Sequence, residues 1–196
     1  MANEGLWEQL ENLDCLQTTR RAQCEYAQER NQYILKLLNL DYIIDLKERK
    51  ISSNSNDSSI IQAKYLEELC ILSYLIHATE LTLANKLVKA ESLPGGQFFF
   101  RGLHKLPTKK LENTFGDAPE TIYKVSEKLD AQKCEYGDAS ISLFALPRIP
   151  LTIIIWKTCE EFDARASILF DQTASSHLPL DALLVAVNLT VESLIK

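Results

Sequence analysis

Arginine and histidine side chains beside glycine turns are the residues of this sequence best suited to binding or chemistry. Residues 93–104 read Leu-Pro-Gly-Gly-Gln-Phe-Phe-Phe-Arg-Gly-Leu-His, so a turn leads through three aromatic residues to Arg101 and His104. The guanidinium of Arg101 can bind a carboxylate or phosphate through two parallel hydrogen bonds, and the backbone N–H groups of Gly95 and Gly96 can help to hold the anion. Histidine ordinarily titrates near neutral pH, which makes His104 a candidate for acid–base chemistry. The structural alternatives are an ion pair for Arg101 and a capping role for His104.

Three further candidates follow downstream. Arg148 stands between Pro147 and Ile149-Pro150, and prolines force extended backbone on the residues before them. Asp171 ends an apolar run and can orient a histidine or an arginine, or cap its own turn. His177 precedes the last predicted helix, whose N-terminus favours anions, or it caps that helix. The full candidate ligand-binding set is Phe98, Phe100, Arg101, His104, Arg148, Asp171 and His177.

We expect Arg101 and Arg148 to lie close to each other or near the helix that starts at Pro179. That arrangement would make a positively charged pocket on an acidic chain, and such a pocket would select an anionic ligand.

These residues need a framework that contains both helices and strands. Residues 33–38 and 42–46 alternate around a short turn and predict a hairpin, with a third strand from Ile51. Residues 98–104 are expected to form a strand with Arg101 and His104 on opposite faces, unless Gly102 forms a bulge. Tyr65 to His77 is apolar on nearly every face, which is typical of a helix buried at the centre of a domain.

The second half of the chain predicts one antiparallel sheet with the 65–77 helix packed on it. Its strands are residues 140–146, 151–156 and 165–170, and a helix over residues 179–195 closes the chain. The remaining predictions are helices at 5–13 and 18–31, a flexible polar loop at 52–59, a short helix or loosely ordered arm at 82–90, and a capping box at Asp117 and Glu120. The predicted fold class is therefore α+β, a mostly antiparallel sheet against a buried central helix and a C-terminal helix, in a single domain of 196 residues.

Composition excludes several classes of function. The chain is 46% apolar and 24% charged, has a formal net charge of −6, and shows no concentrated Lys/Arg run. An acidic chain of this kind is a poor nucleic-acid binder, because neutralising phosphates needs clustered cations. No apolar run approaches the length of a membrane span, and the first residues lack the features of a signal peptide. We therefore expect a cytoplasmic protein that binds neither nucleic acid nor membrane.

The five cysteines do not suggest a metal centre. Cys15, Cys24, Cys70, Cys134 and Cys159 are odd in number and widely spaced, without a C-x-x-C pair. This argues against a zinc or iron–sulfur site and against a disulfide framework, and favours free thiols. P-loop, G-x-G-x-x-G, H-E-x-x-H and nucleophile-elbow motifs are also missing from the sequence.

Several short motifs together resemble a prokaryotic family catalogued as domain of unknown function 3786, over nearly the whole chain. They are residues 93–101 with His104, 115–117, 137–140, 146–150, and 161–171 through 177–179. The resemblance implies an intracellular bacterial or archaeal protein of mostly anaerobic lineages. Some relatives carry an added cysteine-rich iron–sulfur segment, which implies a link to corrinoid or one-carbon metabolism, but this chain has no such segment. The resemblance assigns no catalytic residues and no cofactor.

Three functions fit the sequence. The first is a binding or accessory module that holds a small anionic ligand or a partner protein in a groove formed by the candidate set. The second is an enzyme that uses His104 or His177 for acid–base chemistry, with Asp171 as orienting group and Arg101 nearby. The third is a structural subunit whose motifs only specify turns. Convergence of these residues in one concave pocket would favour the first two.

Overall fold

The computed structural model describes residues 3–54 and 60–196 and contains two antiparallel sheets with helices packed against them. The helices are α1 (Glu4–Glu11), α2 (Cys15–Ala22), α3 (Tyr65–His77), α4 (Gly96–Phe99), α5 (Thr108–Phe115), α6 (Thr121–Ser126), α7 (Ala174–His177) and α8 (Leu180–Ile195). The strands are β1 (Glu25–Ala27), β2 (Gln32–Leu37), β3 (Leu40–Asp45), β4 (Lys50–Asn54), β5 (Ile60–Gln62), β6 (Leu87–Lys89), β7 (Gln132–Cys134), β8 (Ala139–Leu146), β9 (Ile149–Trp156) and β10 (Arg165–Asp171). The predicted α+β class is confirmed.

The first sheet is a meander in the order β1-β2-β3-β4-β5. The predicted hairpin is β2–β3, in which Tyr33, Leu35 and Leu37 point into the core while their neighbours along the strand are more exposed. Its turn consists of Leu38 and Asn39, with φ values of 50° and 63°. Two consecutive left-handed residues give a tight turn whose twist matches that of the strands.

The second sheet has the order β6-β10-β9-β8-β7. Its three long strands are the three that the sequence predicts, and β9 lies in the middle with most of its side chains buried. The two sheets meet where the backbone N–H of Leu38 donates to the carbonyl oxygen of Ala145, at 3.0 Å. The pairing of β8 with β9 is irregular at this point, between Phe144 and Leu146.

The core forms one hydrophobic cluster that both sheets share with the helices. Helix α3 is buried from Cys70 to Leu75, as predicted. The nearest neighbours of α3 are α1, α2 and α8, and α5, α6 and α8 contact the strands of the second sheet. Because α3 is apolar on nearly every face, it is covered from several sides. No helix within residues 3–54 and 60–196 combines the length and apolarity needed to cross a membrane.

Three local predictions are wrong. The helix expected over residues 18–31 ends at Ala22, because Gln23 is left-handed with φ 51° and β1 follows. Residues 82–90 do not form a helix: residues 82–86 have no regular secondary structure, and β6 occupies Leu87–Lys89. Helix α6 begins at Thr121, and Glu120 makes no side-chain cap, so the capping box is not formed. The polar loop expected at 52–59 lies partly in β4, and residues 55–59 are outside the described residues.

Candidate functional site

The seven residues expected to bind a ligand fall into two groups. Three are buried beneath a single extended segment, and we call them the clamp: Arg148, Asp171 and His177, which are 8%, 2% and 0% exposed. The other four belong to one compact turn region: Phe98, Phe100, Arg101 and His104.

The segment above the clamp runs through residues 78–86 without regular secondary structure, and we call it the strap. It leaves the end of α3 and leads into β6, the edge strand beside β10. Each clamp side chain forms a hydrogen bond to the strap. The strap is therefore fixed by buried polar side chains, because it has few ladder partners of its own.

Arg148 connects the strap to the end of α2. Its Nη1 donates to the carbonyl oxygen of Leu81 at 3.1 Å, and its Nε and Nη2 donate to the carbonyl oxygens of Arg21 and Arg20 at 2.6 and 3.3 Å. The last carbonyls of a helix have no partners within the helix and carry a partial negative charge. A buried guanidinium satisfies this negative end without a carboxylate.

Tyr74 supports the same connection from α3. Its hydroxyl donates to the carbonyl oxygen of Ala22 and accepts from the backbone N–H of Arg148, both at 3.1 Å. Burial raises the pKa of Tyr74, so the hydroxyl keeps its proton at neutral pH. The end of α2 is thus bound by two side chains from distant parts of the sequence.

Asp171 holds the other end of the strap. Its carboxylate accepts from the backbone N–H groups of Ala84 and Lys86 at 3.1 and 3.3 Å, and from the backbone N–H and hydroxyl of Thr173 at 2.9 and 2.6 Å. Burial raises the pKa of Asp171, but the hydrogen bonds from Thr173 and Ala84 outweigh it and hold the pKa below its ordinary value. The carboxylate therefore caps its own turn, which is one of the two expected roles, and also binds the strap.

His177 is the last residue of α7 and lies in the interior, rather than presenting an imidazole at the start of α8. Its Nδ1 accepts from the backbone N–H of Thr79 at 3.4 Å, and the Thr79 hydroxyl lies 3.2 Å from the same atom. Nε2 then carries the proton, and it has no hydrogen-bond partner among the described residues. Burial and the neighbouring cation of Arg148 lower the pKa of His177, against the opposing effect of Asp171.

The turn region is not a strand, so the expected division of its side chains between two faces is wrong. Residues 96–99 form α4, and residues 102–104 form a 3-10 turn. Gly95 is left-handed with φ 77°, and a Cβ on Gly96 would collide with the carbonyl oxygen of Ala90. Two glycines therefore reverse the chain so tightly that the aromatic run cannot extend.

We call residues 98–106 the aromatic–basic loop, and its aromatic rings hold its shape. Phe100 is 5% exposed and packs near Phe170 in the core, with ring centroids 6.3 Å apart. Phe99 stacks on His104 at 4.5 Å with an angle of 11° between the ring planes. The His104 imidazole is thus held flat against a neighbour on the outside of the protein.

Two large apolar side chains of this loop do not pack against the core. Phe98 is 74% exposed and Leu103 is 101% exposed. Leu103 follows Gly102, which has a φ of 57°. Leu103 lies at the tip of the 3-10 turn that residues 102–104 form. Arg101 and Lys105 are also exposed and flank this tip.

A groove of about 350 Å³ lies between the loop and β10. Phe100, Leu106 and Ile168 supply apolar surface to its lining, and Lys89, Lys105 and Glu91 supply its charged groups. The pairing of β6 with β10 ends at Lys89 and Leu169, so this groove borders the part of β10 beyond the short edge strand.

A family model described as "Domain of unknown function (DUF3786)" matches residues 14–193. The chain belongs to this family. The matched region contains the clamp, the strap and the aromatic–basic loop. No curated protein and no solved structure gives a significant match.

Within this DUF3786 chain, the described residues contain no group of three or more His, Cys, Asp or Glu side chains arranged to hold a metal ion. The cysteines are free thiols, from the fully buried Cys70 to the exposed Cys159. Burial raises the pKa of Cys70 to about 12, so this thiol is an apolar part of the core.

Sequence reasoning did not identify Leu103 or Lys105, although a signal was present. Both lie in Arg101-Gly102-Leu103-His104-Lys105, where an apolar residue stands among polar ones directly after a glycine. It also overlooked the charge of the surrounding segment: residues 86–110 contain six Lys or Arg and one Glu, on a chain with net charge −6. The aromatic–basic loop therefore combines exposed apolar side chains with local positive charge.

Proposed function

We propose that this protein is a binding module that docks a partner protein through the aromatic–basic loop and the groove beside it. The observation that carries the proposal is Leu103, whose side chain is 101% exposed at the tip of a well-defined turn. Folding does not use this side chain or that of Phe98. Large apolar side chains that project from a loop, surrounded by polar groups, are typical of interaction sites.

The shape of the loop supports this role. Gly95 and Gly96 set the backbone, Phe100 anchors it to the core, and the stacked pair of Phe99 and His104 limits its motion. A binding surface that is already ordered loses little conformational entropy when a partner docks. Its shape therefore favours docking over a purely packing role for the motif.

The charges indicate an acidic partner surface. Lys89, Lys105 and Glu91 line the groove with one excess positive charge, and the exposed Arg101 stands two residues before Leu103. We favour a protein over a membrane or a nucleic acid, because the rest of the chain carries the net negative charge and would be repelled by an extended anionic surface. A compact acidic patch on a protein would contact only the loop, and would not approach the negatively charged remainder of the chain.

The clamp does not favour the enzyme alternative. Asp171 already accepts four hydrogen bonds from the chain, and His177 is 0% exposed. The family resemblance implies a link to corrinoid or one-carbon metabolism. In this proposal, that link serves only to guide the search for a partner protein.

Affinity capture followed by reconstitution tests the proposal. The wild-type protein and the variant with both Phe98→Ser and Leu103→Ser are used to capture proteins from an extract of the organism that encodes them. Leu16→Ser is the matched control, because Leu16 is 72% exposed on α2, away from the loop. Each protein that the double variant loses is then purified and titrated against all three chains.

The proposal expects a purified partner that binds the wild type and the Leu16 variant, and binds the double variant at least about tenfold more weakly. Its association rate should fall as salt is added, since the basic side chains attract it. Equal binding to all three chains would overturn the proposal. So would loop-dependent binding to phosphatidylserine vesicles or to single-stranded oligonucleotides, either of which would identify another class of partner.

A further inference from the structure

A second cleft lies where the two sheets meet, and the candidate site does not include it. It has a volume of about 240 Å³ and opens between the β2–β3 turn, the start of α3 and the end of α8. Its apolar lining is formed by five leucines and a tyrosine: Leu37, Leu38, Leu40, Leu129, Leu189 and Tyr42. Its charged lining is formed by Lys64, Glu67, Lys128, Glu192 and Lys196.

The wall of the cleft formed by the β2–β3 turn is held in an unfavourable backbone conformation. Leu38 has φ 50°, a left-handed conformation that costs a bulky residue roughly 1–2 kcal/mol. Its N–H binds the carbonyl oxygen of Ala145, and the Asn39 side-chain amide donates to the carbonyl oxygen of Lys128 at 3.3 Å. Bonds from two directions keep the turn in place and keep the leucines at the edge of the cleft.

The acidic groups of the cleft already have partners, whereas two of its lysines do not. Glu67 accepts from the backbone N–H of Lys64 at 2.7 Å, and Glu192 pairs with Lys110 at 3.8 Å. Within the described residues, neither the ammonium group of Lys64 nor that of Lys128 forms an ion pair. The cleft thus has an apolar floor and unpaired positive charge at its rim.

Tyr42 adds one polar group near the floor. It is 5% exposed, and burial raises its pKa to about 12, with the charge of Glu67 acting in the same direction. The phenol is therefore protonated at neutral pH, and the Glu67 carboxylate is already a hydrogen-bond partner of its hydroxyl.

We propose that this cleft binds a small amphipathic carboxylate, with its hydrocarbon part among the leucines and its carboxylate between Lys64 and Lys128. Lys64 and Lys128 supply positive charge to the lining while Glu67 and Glu192 keep its net charge low, which suits a singly charged carboxylate better than a doubly charged phosphate monoester. The volume lies between the roughly 150 Å³ cavity that holds benzene and the roughly 300–1,000 Å³ of pockets for larger ligands. A ring or a short alkyl chain would fill it.

Octanoate is a suitable probe, and two control compounds test the contributions of its hydrocarbon chain and of its carboxylate separately. Octanol has the same chain without the charge, and acetate has the charge without the chain. Calorimetric titration of the full chain with each compound gives affinities, and amide chemical shifts locate the binding. The proposal expects octanoate to bind and to shift the amides of Leu38, Leu40 and Leu189. Octanol should bind at least about tenfold more weakly, and acetate should not bind measurably.

Two variants test the two halves of the cleft. The pair Lys64→Gln and Lys128→Gln should weaken octanoate binding by about tenfold while leaving octanol unchanged, since each lysine supplies charge alone. The matched control is the pair Lys47→Gln and Lys157→Gln, which removes the same charge from exposed positions outside the lining. Leu40→Glu should abolish binding, because Leu40 is 45% exposed at the mouth and its replacement adds an opposing charge.

Three results would overturn the proposal. They are amide chemical-shift changes at residues outside the cleft, octanol that binds as tightly as octanoate, and an equal loss of octanoate affinity in both lysine pairs. The outcome is independent of the partner-docking proposal, because Phe98 and Leu103 are not part of this cleft. The Phe98→Ser and Leu103→Ser double variant should therefore bind octanoate like the wild type.

Discussion

Arg148 in the clamp and Arg101 in the aromatic–basic loop both stand beside turn-forming residues in the sequence, yet their surroundings differ. Arg148 is 8% exposed, and its guanidinium donates to three backbone carbonyl oxygens. Arg101 is exposed. The two histidines differ in the same way, since His177 is buried against the strap and His104 stacks on Phe99 at the surface.

The comparison shows that residue type and a neighbouring turn do not reveal whether a side chain stabilises the fold or is available to bind a partner. What separates them is whether the polar atoms are already bound within the chain. The clamp uses its polar groups to satisfy buried backbone, which would otherwise cost about 1–3 kcal/mol for each unpaired group. The loop leaves the side chains of Phe98, Arg101 and Leu103 exposed, so of these two regions the loop is the one that can bind a partner.

The largest expected effect is that of Arg148→Met. It removes the three part-buried hydrogen bonds that the guanidinium donates to backbone carbonyl oxygens, and should lower the free energy of unfolding by about 3 kcal/mol. Arg101→Met is the matched control and should change it by less than about 0.5 kcal/mol. Urea denaturation of both variants measures the difference. If both variants lost the same small amount of unfolding free energy, Arg148 would not be structural. The difference drawn between the clamp and the loop would then be wrong.

Asp171→Ala should have the next largest effect, about 2 kcal/mol, because it removes an acceptor shared by the strap and its own turn. Hydrogen exchange locates the loss: the amides of Ala84 and Lys86 should exchange much faster, while amides within β9 change only with global stability. Asp163→Ala, at an exposed position, is the control. Unchanged protection at Ala84 would contradict the assigned role.

The longer strands were readable from the sequence because they depend on local alternation, whereas the three-residue strands β1, β5, β6 and β7 were not predicted. Tyr33, Leu35 and Leu37 alternate with exposed residues, and this pattern is specific for a strand with one buried face. The aromatic run of Phe98, Phe99 and Phe100 misled the prediction, since β-rich residues favour a strand. The structure shows that Gly96 lies against the carbonyl oxygen of Ala90, a close approach that needs a glycine and turns the chain just before that run.

The candidate site was readable only in part, for a different physical reason. Arg148, Asp171 and His177 stood out by residue type and do converge around one segment. Their partners are backbone groups such as the Leu81 carbonyl and the Ala84 N–H, and any residue supplies these, so they leave no signature in the sequence. The expected pocket of Arg101 with Arg148 could not be judged from sequence spacing, and the structure places Arg148 under the strap and Arg101 on the loop.

A smaller effect is expected from pH, through His177. Its pKa is lowered in the folded protein, chiefly by burial, so the unfolded chain binds more protons between the two pKa values. Stability should therefore be complete above the ordinary histidine pKa of 6.5 and should fall as the pH drops below it. Protonation would also take the Nδ1 acceptor away from the Thr79 N–H.

Urea titrations at about pH 7.5 and about pH 5 measure this loss. The difference in the free energy of unfolding between the two pH values should shrink in His177→Asn. It should persist in His104→Gln, which keeps the buried imidazole of His177. Asp171 titrates in a lower range, because its folded pKa lies below the ordinary value, and its contribution is lost only as the pH falls further. A pH dependence that follows His104 instead would reverse the comparison between the two histidines.

The smallest effect on stability should come from the loop, in the variants Phe98→Ser and Leu103→Ser. Both side chains are largely exposed, at 74% and 101%, so little apolar surface returns to water when they are replaced. The free energy of unfolding should change by less than about 0.5 kcal/mol for each. Phe100→Ser, one turn away but 5% exposed, should instead cost about 3 kcal/mol or more, because it empties a packed position beside Phe170. If Leu103→Ser destabilised the protein as much as Phe100→Ser, Leu103 would be part of the fold and no longer available to a partner.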